Sequence, residues 1–146
     1  MTVGTTITSV FYVDDDPDDR FFFEEAAKML GEEISLFQLG DELLKQLHSP
    51  PPHPSLIFLD LNMPLKDGFE VLSEIRKSAV FKSIPVIILS TTSNPSIIER
   101  CFNQGASMFL TKIPSIKEFH RALQYVFSVN WENNIRTFEN FVYKAH

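Results

Sequence analysis

Five short apolar runs recur along the chain: ITSVFYV (7–13), ISLFQL (34–39), SLIFL (55–59), IPVIIL (84–89) and SMFL (107–110). Their β-branched and aromatic content and their brevity predict buried strands. Helix-like segments lie between them, over about Asp18–Leu30, Asp41–His48, Phe69–Ser78, Pro95–Gln104 and Ser115–Val129. Pro17 falls in the first turn of the first helix, where a missing N–H costs little. Gly31 and Gly105 sit just past two helices, as C-terminal caps do. Five strand–helix repeats predict an α/β domain, a doubly wound parallel sheet with helices on both faces. The segment HSPPPHPS (48–55) contains a PxxP pattern, but both its flanks belong to the same repeat array, so it reads as a stiff connector.

Composition narrows the class. With 146 residues, 44% of them hydrophobic and 14 of them Phe, the chain has the length of one domain and can bury a real core. The net charge of -6 argues against a nucleic-acid partner. A single cysteine, Cys101, excludes an internal disulfide and suits a reducing compartment. The start lacks the basic and apolar regions of a signal peptide, and no run approaches the roughly 20 apolar residues of a membrane span. A soluble, cytoplasmic protein with no membrane association is expected.

The polar residues at the strand ends carry the chemistry. The first strand runs into Asp14 and Asp15, the third into Asp60, the fourth into Ser90, and Lys112 follows the fifth. In a parallel sheet all carboxyl ends share one edge, where ligands bind. Singly, each of these residues has a bland use, as a helix cap or a solvated charge; together they make a site. Crowded carboxylates repel, at roughly 4 kcal/mol per pair 4 Å apart with an effective dielectric near 20. A cation must compensate, and hard oxygens that also leave room for phosphate suit Mg²⁺. A carboxylate can then act as nucleophile and form an aspartyl-phosphate, with the hydroxyl and the ammonium holding the other phosphoryl oxygens.

The pieces VDDD, LDLNMPLKDGFEVL, PVIILST and GASMFLTK, spread over residues 7–129, resemble the receiver domain of two-component response regulators. The resemblance implies a flavodoxin-like five-stranded sheet in the order 2-1-3-4-5. It also implies phosphorylation on Asp60 by a histidine kinase or a histidine phosphotransfer protein. Asp14 and Asp15 would hold Mg²⁺, Asp15 directly and Asp14 through water, and Asn62 would lend its backbone carbonyl. Ser90 matches the switch hydroxyl, Phe109 the switch aromatic and Lys112 the phosphate-binding lysine, and the backbone N–H of Thr91 would face the phosphoryl group. Gly68 would start the next helix where a side chain would crowd the turn. One position departs from the pattern. Receivers usually have a cis proline directly after the lysine, whereas here the order is Lys112-Ile113-Pro114. A cis bond before Ile113 would cost about 2.5–4 kcal/mol, so the loop must store that strain or take another path.

Rival readings fit less of the chain. Asp14, Asp16, Asp18 and Glu25 match EF-hand ligand positions, but Asp19 stands where the loop needs Gly. A haloacid-dehalogenase-type phosphatase would use Asp14 and Asp16, yet it leaves Asp60 unexplained. A phosphorylation-independent pseudo-receiver is disfavoured by the intact residue set. Asp16, Asp18 and Asp19 read as helix N-terminal charges. Phe109 could be a fixed core ring, and Cys101 a packed hydrophobe. His48, His53, His120 and His146 lack metal-ligand spacing. One Phe of RFFFEEAAKML is expected to be exposed, because three cannot share one buried face.

Residues 1–129 thus read as a receiver, with no separate output domain after it and an unidentified output partner. Residues 130–146 read as a short helical extension. Trp131, Ile135, Phe138 and Val142 recur at helical spacing, and Asn130 could cap the helix. That stripe must bury against its own domain, or against a second protomer in a homodimer or the output partner.

Overall fold

A computed structural model describes residues 9–28 and 30–145. Elements alternate from the start: β1 (Ser9–Val13), α1 (Pro17–Lys28), β2 (Glu33–Phe37), α2 (Gly40–Leu47), β3 (Leu56–Leu59), α3 (Gly68–Lys77), β4 (Val86–Ser90), α4 (Pro95–Asn103), β5 (Met108–Thr111), α5 (Ile116–Ser128) and a single turn, α6 (Phe138–Phe141). All strand pairs are parallel, in the order β2-β1-β3-β4-β5. The expected doubly wound sheet is present, with boundaries within about two residues of the sequence reading. Ile7 and Thr8 of the first run, Met29 in the first helix and His146 lie outside the described residues.

Strand periodicity of two sorts the core. Phe11, Val13, Ile57, Leu59, Ile88 and Phe109 face α2, α3 and α4, where Leu43, Leu47, Val71, Leu72 and Ile75 complete one cluster. Val10, Tyr12, Leu56, Phe58, Ile87, Leu89 and Leu110 face α1 and α5, where Phe23, Phe119, Leu123 and Val126 complete the other. Both faces are covered, so β1, β3 and β4 are buried at every residue. Of the three α1 phenylalanines, Phe23 is buried, Phe22 stacks on Phe119 with ring centroids 5.5 Å apart, and Phe21 is 63% exposed. Cys101 is fully buried, and burial pushes its thiol up to about 11. No described helix is long and apolar enough to cross a membrane.

Side-chain caps start the helices where the sequence turns polar. Asp67 accepts the Glu70 N–H, Asn94 the Ser96 N–H and Ser115 the Glu118 N–H. Past α1 and α4, Gly31 and Gly105 adopt φ of 75° and 93°, as helix-ending glycines do.

The tail corrects the sequence reading. Its apolar residues do not line one helix. After a turn at residues 131–133 the chain continues without regular structure to Thr137, whose hydroxyl and Asn140 form a capping box for the single turn of α6. Asn130 does not cap a helix; its Oδ1 is buried without a hydrogen-bond partner. Trp131 is half-buried, with Nε1 donating to the Val126 carbonyl at 3.1 Å, while Ile135 is 79% exposed. A helix this short is marginal alone, and the edge of β5 offers an alternative partner. Val142 bridges Phe109 in parallel, and the Tyr143 N–H donates to the Phe109 carbonyl at 2.8 Å. Phe141 is fully buried, its ring 5.3 Å from that of Phe102 and 6.4 Å from that of Phe109. The tail therefore docks on its own domain as a strap over β5 and α4.

Phe141→Ala should cost about 3–5 kcal/mol, as large-to-small substitutions of buried aromatics do. Ile135→Ala, on the same strap but exposed, should change stability by less than about 0.5 kcal/mol. Chemical denaturation of the two variants checks both values, and equal effects would contradict strap docking.

Candidate functional site

The carboxyl edge of the sheet gathers the acidic residues. Backbone pairing fixes their positions: the Asp14 N–H donates to the Phe37 carbonyl (3.1 Å) and the Asp60 N–H to that of Val13 (3.2 Å). Asp14 is 1% exposed and Asp60 4%. Carboxylate oxygens of Asp14, Asp15 and Asp60 all lie within 4.8 Å of one another. Three hard oxygen donors at that spacing could share one divalent cation, and their mutual repulsion favours one.

Lys112 closes the site from β5. Its N–H donates to the Ser90 carbonyl at 2.7 Å, which holds the ends of β4 and β5 together. Its Nζ lies 2.8 Å from Asp14 Oδ2, 2.7 Å from Asp19 Oδ2 and 3.4 Å from Asp60 Oδ1. Burial opposes the ammonium charge, but the bonds to Asp14 and Asp19 more than offset it and hold Lys112 above its ordinary range. Asp60 is raised too, but here the shift favours the neutral form: burial first, then the charge of Asp14, pushes its carboxyl up to about 7 against the pull of Lys112.

The remaining predicted residues are placed differently. Ser90 is fully buried, and its Oγ accepts the Thr92 N–H at 3.2 Å. Thr91 is exposed and lines a cavity of about 380 Å³ beside Lys112 and Ile113. Asn62 is exposed, one residue past Leu61 in the β3–α3 loop. Gly68 carries the expected constraint, since a Cβ there would stand 2.4 Å from the Asp60 carbonyl oxygen. Phe109 is not at this edge; it is buried under the strap. The bond before Ile113 is trans, as cis peptides occur only within the Pro50–Pro52 run among the described residues. The loop takes the other path, and Lys112 still reaches the carboxylates.

Two residues of the site escaped the sequence reading. The Tyr12 hydroxyl donates to Asp14 Oδ2. Period-two alternation puts Tyr12 and Asp14 on one face of the strand, a signal that was available. Burial, then the charge of Asp14, keeps that phenol protonated far above its ordinary range. Asp19 read only as a helix charge, yet it pairs with Lys112. Nothing in the local pattern announces a contact spanning 93 residues.

Comparison with known proteins bears on this arrangement. The family profile described as response regulator receiver domain matches residues 10–124. The chain belongs to that family. Among curated relatives, the response regulator Rcp1 of Synechocystis sp. (strain ATCC 27184 / PCC 6803 / Kazusa) is 33% identical over 122 residues, covering 79% of this chain and 83% of that protein. The structure of the Mn(2+)-bound form of response regulator Rcp1 superposes with a TM-score of 0.74 at 28% identity, covering 89% of this receiver and 99% of that chain. The phosphorylated cyanobacterial phytochrome response regulator RcpA superposes with a TM-score of 0.76 at 27% identity, covering 89% and 98%.

The raised Asp60 carboxyl makes a pH prediction for this receiver. A carboxyl that binds its proton more tightly when folded contributes stability below its ordinary value of 3.8, and that contribution is lost as pH rises through about 7. In metal-free buffer, Asp60→Asn should therefore gain stability relative to the native protein as pH rises from about 4 to 8. Thermal melts across that range read the difference, and a flat difference would contradict the assignment. Adding a divalent cation at pH 8 should narrow it.

Proposed function

We propose that this receiver accepts a phosphoryl group on Asp60 from a phosphohistidine of a histidine kinase or histidine phosphotransfer protein. The observation that carries the reading is a buried Asp60 carboxylate between two further carboxylates and the Lys112 ammonium. An Asp60 oxygen attacks phosphorus, the P–N bond breaks, and the imidazole leaves with the electron pair. Asp14, Asp15, Asp60 and the Asn62 backbone carbonyl would hold Mg²⁺, which when bound neutralises charge on the transferring group. Lys112, the Ser90 hydroxyl and the Thr91 N–H would take the remaining phosphoryl oxygens. Tyr12 orients Asp14 from beneath. The protein would catalyse only its own phosphorylation and dephosphorylation, and would act in the cytoplasm through protein contact.

Ser90 and Phe109 are proposed as the switch. Phe109 does not look outward here, because Phe141 covers it and Val142 and Tyr143 bind its backbone. Movement of Phe109 would therefore act first on the strap.

Acetyl phosphate with Mg²⁺ should label native protein and not Asp60→Asn, read by intact mass and peptide mapping. Equal label on the variant would overturn the proposal.

Asp19 competes for Lys112 in the resting protein, so Asp19→Asn should free the ammonium for the phosphoryl group. Beryllofluoride with Mg²⁺ should then bind several-fold more tightly, about the strength of one partly exposed charge-assisted bond. Unchanged or weaker binding would show that Asp19 positions Lys112 rather than restraining it.

A further inference from the structure

A second polar cluster lies at the opposite end of the sheet, and it carries the opposite charge. Arg76, near the end of α3, is held in place by backbone. Its Nε donates to the Gly105 carbonyl at 2.7 Å, and its Nη1 to those of Ile84 at 2.7 Å and Lys82 at 3.2 Å. Its Nη2 donates to Ser107 Oγ at 3.2 Å, and the same oxygen accepts the Val86 N–H at 3.0 Å. With both lone pairs used, the Ser107 hydroxyl has only its proton left to offer.

Arg76 and Ser107 line a cavity of about 210 Å³ together with Lys82, Trp131, Asn134 and Arg136. No Asp or Glu lines it, although the chain has 19 acidic residues against 13 Lys and Arg. Among the described residues, no carboxylate pairs with any of the three cations. Arg136 comes from the strap. Its Nη1 donates to the Phe102 carbonyl at 2.7 Å, and its guanidinium stacks 3.9 Å from the centre of the Phe102 ring. That leaves most of its five N–H groups free. Burial, and after it the nearby charge of Arg136, lowers the Arg76 guanidinium to about 10. The two cations repel across a space that has donors on several sides and no counter-charge.

We propose that this cavity binds a small phosphate-type oxyanion, either inorganic phosphate or a phosphomonoester, clamped between Arg76 on the domain and Arg136 on the strap. The group suits the lining because it is rich in acceptor oxygens, can carry two negative charges, and matches the fork that Arg136 still has free, with one remaining N–H of Arg76 and the Ser107 proton opposite. Arg76 and Ser107 are already fixed by the sheet, so little ordering is needed there. Arg136, exposed on the strap, is the movable jaw. An anion bound here would fasten the strap to α3 and the start of β5, independently of Asp60.

The chain's single tryptophan, Trp131, lines the cavity and reports on it. Potassium phosphate or glycerol phosphate, titrated without Mg²⁺ against chloride at matched ionic strength, should change its fluorescence saturably. Arg136→Gln should weaken that binding about tenfold or more, the worth of a charge-assisted bond. Lys82→Gln, whose side chain anchors nothing in the fold, should weaken it too, which guards against Arg136→Gln merely loosening the strap. Asp60→Asn should bind phosphate as the native protein does while losing its label from acetyl phosphate, so the two sites fail separately. A response no greater than with chloride, one unaltered in both cation variants, or one abolished by Asp60→Asn would overturn the proposal.

Discussion

One ammonium group holds the carboxyl edge together. Asp14, Asp15 and Asp60 are brought close by the ends of the paired strands β1 and β3, and backbone hydrogen bonds fix Asp14 and Asp60 there. Without a counter-charge the repulsion would work against the pairing of β1 with β3. Lys112 supplies that charge from β5 and reaches Asp14, Asp19 and Asp60 at once. It does not offset everything that acts on the site: burial first, and then the charge of Asp14, still raise the Asp60 carboxyl against its pull. Three carboxylates against one ammonium leave this edge able to take further positive charge.

The same strand anchors the other distinctive feature. β5 is an edge strand, and an uncovered edge exposes backbone groups that invite unwanted pairing. The strap covers it with a bridge at Val142, a hydrogen bond from Tyr143 and the buried ring of Phe141. Tyr143 also stands against Tyr125 of α5, with ring centroids 5.4 Å apart, so the cover spans from α4 to α5. The single turn of α6 persists because Thr137 and Asn140 cap it and Phe141 is buried, not because its sequence favours a helix.

The sequence made the sheet, its order of elements and the meeting of Asp14, Asp15 and Asp60 with Lys112 legible, because short apolar runs and the polar residues that end them are local signals. The strap was legible only as an apolar tail. Helical spacing of Trp131, Ile135, Phe138 and Val142 is a weak constraint over so few residues, and a neighbouring strand edge outcompetes it. The Asp19–Lys112 pair was not legible at all, since it depends on where packing places the first turn of α1 relative to the residue after β5. The two guanidiniums at the far end were invisible for the same reason: Arg76 and Arg136 meet only once the tail has folded back.

Those two ends are joined by very little chain. Phe109, on β5 under the strap, and Lys112, the residue after β5 and among the carboxylates, are three residues apart, about 10 Å at strand rise. A four-residue strand buried against β4 cannot bend sharply between them, so it moves as a unit or not at all. Ser107, at the strand's entry, touches Arg76 and the basic cavity. The acidic edge, the strap and the basic cavity therefore bear on one short rigid element.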